Sequence, residues 1–101
     1  MKPMDLGGFP VTSHLDDPEL RKGIWDEPAQ LLLIEPVEKF EIREQDLFLF
    51  VGRPGVDGIE FGYRSGMDGF WAYYPVDDEF VLLANNIQEF LNGWYDGSIT
   101  V

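Results

Sequence analysis

Apolar and polar residues follow a regular pattern over residues 46–94, and this stretch predicts four short strands followed by one helix. Residues 47–51 form a continuous apolar run rich in phenylalanine, which is typical of a strand covered on both faces. Ile59, Phe61 and Tyr63 then alternate with polar residues or glycine, which predicts a strand with one face in water.

The next strand of this stretch, at residues 70–74, carries aromatic rings on both faces. Because successive side chains of a strand point to opposite faces, two sets separate: Phe70, Ala72 and Tyr74, and Trp71 with Tyr73. If one set packs on the helix, the other presents rings that either the N-terminal segment or a partner must cover. The pattern therefore leaves two roles open for Trp71 and Tyr73, core packing and a contact surface.

Turn-forming residues cluster between these strands, at 52–58, 65–69 and 75–78. Because the connections are too short for crossovers between parallel strands, they predict an antiparallel meander that ends in a strand at residues 80–84. Gly62 lies within a strand, where glycine indicates a bulge or a close approach of another backbone.

The C-terminal helix has the clearest pattern in the chain. Its apolar stripe falls at i, i+3, i+4 and i+7: Ile87, Phe90, Leu91 and Trp94. Asn86 is a good N-cap, and Glu89 three positions later completes an arrangement like a capping box. Gly93 is the expected stop of the helix, and residues 97–101 have the composition of an added edge strand.

The N-terminal part is less regular. Residues 1–11 predict an irregular arm, and residues 17–22 predict a short helix with Asp17 as N-cap, Pro18 in the first turn and Gly23 at its end. Residues 25–30 are expected to form a connector.

Two further segments before the regular stretch are harder to assign. The apolar run at residues 31–34 fits a strand or a helix, and a strand over residues 30–35 is preferred because Pro36 would limit a helix to two turns. Residues 37–42 predict a strand or a bend.

Length and composition bound the number of domains. The chain has 101 residues, of which 45% are hydrophobic, which is enough for one domain with a single core. We expect one α+β domain over residues 1–101, with an arm and short helix in 1–29 and a sheet and helix in 30–101. The sheet is expected to be an antiparallel meander of about four to six strands, with the C-terminal amphipathic helix packed on it.

The net charge is −12, from 19 acidic and 7 basic residues. Such a field repels phosphate backbones and anionic lipids, so nucleic-acid and membrane partners are not expected, whereas a basic protein partner would be attracted. The sequence contains no cysteine, no apolar run of membrane-spanning length and no signal-peptide pattern, and we expect a cytoplasmic protein.

The candidates for catalysis or metal binding are weak. His14 is the only histidine, and its neighbours Ser13 and Asp16 do not provide a rigid triad. The acidic run Asp77, Asp78 and Glu79 lacks the spacing of a calcium loop. The glycines of residues 52–58 are not followed by the Lys-Ser/Thr pair or the helix of a phosphate-binding loop. We expect no enzymatic activity, no cofactor and no metal site.

The order of elements from residue 57 onwards resembles the C-terminal part of the SUKH superfamily, also called the SMI1/KNR4 family. The resemblance rests on a turn at Asp57 and Gly58, a strand at residues 59–63, an aromatic strand at residues 71–74, and a last strand that leads into a capped helix with a Phe90-Leu91 pair. It covers about half of the chain, and the short helix near Asp17 replaces the longer N-terminal helices that members usually have.

What this resemblance implies is protein binding, because many bacterial members are immunity proteins that neutralise toxins. We therefore expect a protein partner, such as a basic toxin domain. The candidate contact residues are Trp71, Tyr73, Arg64, Asp77, Asp78 and Glu79. A second hypothesis is a self-associating homodimer that uses the aromatic sheet face or an edge at residues 98–101, and a third is a small-ligand-binding or hydrolytic domain.

Overall fold

The computed structural model describes residues 8–28, 30–43, 47–55 and 58–101, and it confirms the α+β class. The described strands are β1 (Ile24–Asp26), β2 (Leu31–Ile34), β3 (Glu41–Arg43), β4 (Phe48–Gly52), β5 (Glu60–Arg64), β6 (Met67–Tyr74) and β7 (Glu79–Ala84). The described α-helices are α1 (Thr12–Leu15), α2 (Pro18–Arg21) and α3 (Ile87–Asp96), and a 3₁₀ turn covers Val37–Lys39.

All pairings within the sheet are antiparallel. The strands lie in the order β1-β2-β4-β5-β6-β7, and β3 also pairs with β4. The described sheet thus has seven strands, against the four to six expected. The meander predicted from the short connections is confirmed, because β4, β5, β6 and β7 each pair with the next strand along the chain.

The main core lies on one face of the sheet, which we call the helix face. Each of the three α-helices contributes apolar residues to it, and the sheet contributes the inward set of each central strand. Its fully buried aromatic residues are Phe61, Phe70 and Phe90. The sequence pattern separated Phe70 and Ala72 from Trp71 and Tyr73, and the structure confirms this: only the first pair belongs to the core of the helix face.

β4 is buried along its whole length, as its continuous apolar run predicted. Leu49 and Val51 belong to the helix face, whereas Phe48 and Phe50 belong to the opposite face. Gly62 of β5 is the position of close approach that the sequence indicated, because a Cβ there would lie 1.9 Å from the Leu49 carbonyl oxygen and 2.8 Å from Phe48 Cζ. Only glycine fits between these two groups.

The capping prediction for α3 is confirmed, since the Asn86 side chain accepts a hydrogen bond of 2.9 Å from the Glu89 backbone N–H. The expected stop at Gly93 is wrong, because α3 continues to Asp96 and ends at Gly97, which has a φ of +84°. The edge strand expected at residues 97–101 does not form. Instead Ile99 packs over Gly93, where a Cβ would lie 2.4 Å from Ile99 Cδ1.

The N-terminal half differs more from the prediction. The short capped helix is confirmed as α2, with Asp17 accepting from the backbone of Glu19 at 2.9 Å. α1 was not predicted, and the connector expected at residues 25–30 is wrong in its first part, because Ile24–Asp26 forms β1. Asp26 of β1 is buried, and its Oδ2 accepts a hydrogen bond of 3.0 Å from Trp94 Nε1, a contact that a local pattern cannot reveal.

The strand preferred over a helix at residues 31–34 is confirmed as β2. Residues 37–43 combine a 3₁₀ turn with the short strand β3. Residues 1–7 of the predicted arm and Asp57 of the predicted turn lie outside the described residues. None of the described helices is long and apolar enough to cross a membrane.

Candidate functional site

A second cluster of rings lies on the sheet face opposite the helices. Phe48, Phe50 and Tyr73 are buried there, and Trp71 and Phe80 pack against them while remaining half-buried. We call this surface the aromatic face and define it by these five residues and the arginines above them, Arg43, Arg53 and Arg64. The described helices pack their buried apolar residues on the other side of the sheet, the helix face.

The rings of the aromatic face form one connected group. The centroid of Phe80 lies 4.8 Å from that of Tyr73 and 5.4 Å from that of Phe48, and Phe48 and Tyr73 are 5.8 Å apart. These tilted pairs are within the distances at which aromatic rings attract each other. Phe48 reaches this position because Gly62 beneath it has no side chain. The close approach at Gly62 therefore builds the cluster.

Guanidinium groups cover these rings. Arg64 Cζ lies 4.7 Å from the ring centroid of Trp71 and 4.4 Å from that of Phe80. Arg43 and Arg53 each place Cζ 4.7 Å from the centroid of Phe50. Cation–π contacts at exposed sites stabilise by about 0.5–1 kcal/mol each. Three of the seven basic residues of a chain with net charge −12 thus lie on one face.

The three arginines differ in their acidic partners. Arg43 forms ion pairs with Glu41 (2.8 Å) and Glu60 (3.1 Å). Within the described part of the chain, Arg53 and Arg64 have no carboxylate at ion-pair distance. Their N–H groups can therefore bind a partner without first breaking an ion pair to a described residue, whereas those of Arg43 are already engaged.

Four of the six predicted contact residues come together on this face. Arg64 stacks on Trp71, and the Tyr73 hydroxyl donates a hydrogen bond of 2.9 Å to Asp78 Oδ1. Asp78 has a φ of +50° in the turn after β6, a region that aspartate tolerates better than most residues. The bond from Tyr73 thus ties the turn to the aromatic face.

Asp77 and Glu79 are placed differently. Asp77 is exposed in the same turn as Asp78. Glu79 pairs with Tyr74 and precedes Phe80 on β7, so its side chain points toward the helix face while that of Phe80 lies on the aromatic face. The acidic run therefore marks the end of β7, and only Asp78 contacts the ring cluster.

Sequence reasoning missed the most buried part of this surface. Phe48 and Phe50 were assigned to a buried strand but not to a face, and the covering role of Arg43 was not foreseen. Arg43 reaches this face because β3 pairs with β4, which sets Arg43 opposite Phe48. A three-residue strand with no clear alternation does not reveal that register in advance.

His14 proves to be a buried residue of the helix face. It is 1% exposed, its Nδ1 lies 2.9 Å from the Tyr63 hydroxyl, and its ring meets Phe40 edge-on at 5.2 Å. Burial lowers the pKa of His14 to about 4, against weaker opposing effects of the Leu20 backbone and the Asp17 charge, and burial raises the pKa of Tyr63. His14 is thus neutral at pH 7 and joins α1 to the sheet.

Other sites of ligand or metal binding are weakly supported. A groove of about 710 Å³ separates α1 and α2 from residues 36–38, and its charged lining mixes Asp16 and Glu38 with Arg21 and Lys22. Over residues 8–28, 30–43, 47–55 and 58–101, no three His, Asp or Glu side chains gather as a metal site requires.

No protein-family model, curated protein or solved structure matches the chain. The resemblance to the SUKH superfamily stays a prediction.

Proposed function

We propose that this chain is a protein-binding module without catalytic activity, and that the aromatic face is its contact surface. The observation that carries the proposal is the cluster of five rings covered by guanidinium groups, on the face opposite the one where the described helices pack. Trp, Tyr and Arg are the residues that most often dominate the energy of protein interfaces, and here Trp71, Tyr73 and Arg64 lie together.

The arrangement of Arg64 supports this role. A stacked guanidinium loses little conformational freedom on binding, because the rings of Trp71 and Phe80 already hold it in place. Its donors remain available to carboxylates or carbonyl groups of a partner. Half-buried Trp71 beside it supplies apolar area that a partner would remove from water.

The finer proposal is an immunity protein of SUKH type that neutralises a basic toxin domain in the cytoplasm. Two features support it: the likeness over residues 57–91 and the net charge of −12, which would accelerate association with a basic partner. The acidic residues of the chain would steer the partner, while the rings and Arg64 of the aromatic face hold it.

The proposal is tested by affinity capture from a lysate of the source cells, with four tagged proteins as bait. Wild type and Tyr95→Ser should retain the same partner, because Tyr95 is 59% exposed and lies on α3, the helix of the opposite face. Trp71→Ser and Arg64→Ala should each weaken capture, since truncation of an interface hot spot costs about 2 kcal/mol or more, roughly thirtyfold in Kd.

Thermal melts of all four proteins control for unfolding. Equal capture by the four proteins would contradict the proposal, as would loss in Tyr95→Ser alone. For the finer proposal, the captured protein should be basic and should stop growth when it is produced without this chain. A captured protein that is acidic or harmless would contradict the immunity role and leave the binding role standing.

A further inference from the structure

The edge of the sheet formed by β7 is open in the described structure. β7 is the last strand in the sheet order and pairs only with β6 among the described strands. It runs for six residues, and each of them keeps some exposure to solvent, with Leu82 at 50%. In contrast, every residue of the central strand β4 is buried. A strand in this position presents backbone N–H and C=O groups that another strand can pair with.

The other side of the sheet ends in two three-residue strands, β1 and β3, each with one partner among the described strands. β1 is only three residues long, its register shifts between Ile24 and Trp25, and Asp26 places a charged group inward. Short length, irregular register and inward charges are the features by which proteins prevent pairing at an edge. β7 has neither lysine nor proline, and its one charged residue, Glu79, stands at its first position. β7 therefore lacks the features that prevent pairing at β1.

From this difference we infer that β7 accepts an extended segment of a protein partner as an additional strand. The segment would be apolar, with a basic residue at the end that lies near the acidic residues 77–79. This inference rests on the proposed binding function and specifies how the partner is held. Main-chain hydrogen bonds would supply affinity, and alternate side chains of the segment would supply specificity.

Charge favours a basic partner segment over a second copy of this chain. Asp77 and Asp78 lie directly before β7 and Glu79 begins it, so a lysine or arginine at that end of the added strand would enter an acidic region. Pairing of two copies through β7 would bring together two chains of net charge −12 each, and like charges disfavour that approach.

The edge is also continuous with the aromatic face. Phe80 and Leu82 alternate on β7 toward this face, and Arg64 lies 4.4 Å from the ring of Phe80. Every second side chain of an added strand would therefore extend the aromatic face, next to Phe80 and Leu82. One partner segment could use both the backbone of the edge and the rings beside it.

The test uses amide hydrogen exchange on the full chain. The probe is a short peptide that alternates valine and threonine and carries a lysine at each end. It should slow exchange at β7 and leave β1 unchanged. Leu82→Lys, which adds a charge to the edge, should lose this protection. Tyr95→Lys, which adds the same charge on α3, should keep it.

Two further peptides separate the parts of the inference. A version with N-methyl groups at alternate residues should not protect β7, because it cannot form the ladder, and a version with glutamates at its ends should bind more weakly than the lysine version. Protection by the N-methylated peptide, or equal binding of the glutamate version, would overturn the inference. So would an absence of protection at β7, or protection without peptide in a chain that light scattering shows to be a dimer.

The inference and the proposed function can fail separately. If capture depends on Trp71 but no peptide protects β7, the binding function stands and the strand addition fails. If the lysine peptide protects β7 but capture is unaffected by Trp71→Ser and Arg64→Ala, the edge is a docking site and the aromatic face is not.

Discussion

The two faces of the sheet bury aromatic rings by different means. On the helix face, Phe61, Phe70 and Phe90 are fully buried in a core to which all three α-helices contribute. On the aromatic face, the rings are covered by arginine side chains, and Trp71 and Phe80 stay partly accessible. Helices shield the first face from water, whereas the stacked arginines leave N–H donors at the surface of the second. Similar ring clusters thus serve stability on one face and, we propose, binding on the other.

The largest expected effect separates the two faces by stability. Phe90→Ala removes a fully buried ring of the helix face and should lower the free energy of unfolding by about 3–5 kcal/mol. Phe80→Ala removes a half-buried ring of the aromatic face and should cost about 1–2 kcal/mol. Chemical denaturation of both variants measures the difference. Equal losses would show that the aromatic face is as much a structural core as the helix face.

Acid should weaken the helix face through His14. Its pKa is lowered from 6.5 to about 4 in the folded chain, so between these pH values the unfolded chain binds a proton that the folded chain does not. Above pH 6.5 His14 is neutral in both states and does not lower the free energy of unfolding. As the pH falls to about 4, the free energy of unfolding decreases by up to about 3 kcal/mol, because the unfolded chain takes up the proton first.

The measurement is the free energy of unfolding of wild type and His14→Asn over this pH range. The variant should be less stable at neutral pH, because it loses ring contacts with Phe40 and Tyr63, and the gap between the two proteins should narrow on acidification. A difference in free energy of unfolding that stays constant with pH would mean that folding does not lower the pKa of His14.

Two glycines give a matched pair across the faces. Alanine at Gly62 would place Cβ against the Leu49 carbonyl and Phe48, and neither can move without disturbing β4, so we expect a loss of about 1–3 kcal/mol. Alanine at Gly93 would place Cβ 2.4 Å from Ile99 Cδ1, 2.5 Å from Cγ1 and 3.2 Å from Cβ, but it would meet no backbone atom of a neighbouring strand. Alanine also has a higher helix propensity than glycine, by about 1 kcal/mol, which offsets part of this clash, so the variant should lose less stability than Gly62→Ala. Thermal unfolding ranks the two, and a larger loss at Gly93 would contradict this assignment of packing.

The smallest effect on stability is expected at the arginines. Arg64→Gln removes cation–π contacts at a partly exposed site and should lower the free energy of unfolding by less than about 1 kcal/mol. The same change should weaken partner binding far more than it weakens folding. A loss of stability comparable to that of Phe90→Ala would indicate that Arg64 is a structural cover and not a contact residue.

Sequence patterns predicted the elements whose signals are local. The N-cap of α3 and the separation of Trp71 and Tyr73 from Phe70 and Ala72 follow from spacing alone, and the structure has both. The end of α3 was misassigned because Gly93 and Gly97 have the same local preference. Packing of Ile99, which is not visible in the spacing, determines which glycine ends the helix.

The features that the sequence did not predict depend on contacts between distant parts of the chain. β1 is a three-residue strand whose buried Asp26 bonds to Trp94, so no periodicity marks it. For the site, the pattern showed that both faces of β6 carry rings but not that arginines from other parts of the chain cover one of them. Covering by Arg43 follows from the register of β3 against β4, which depends on the folded sheet.

NMR on the isotope-labelled chain can map which of its residues contact the partner. Once the captured partner is purified, we predict that its addition shifts or broadens signals of the Arg64, Trp71 and Tyr73 side chains and the amides of β6 and β7. Tyr95 and the exposed side of α3 should be unchanged. Changes confined to α3 and the helix face, with the aromatic face unaffected, would show that the partner does not bind the aromatic face.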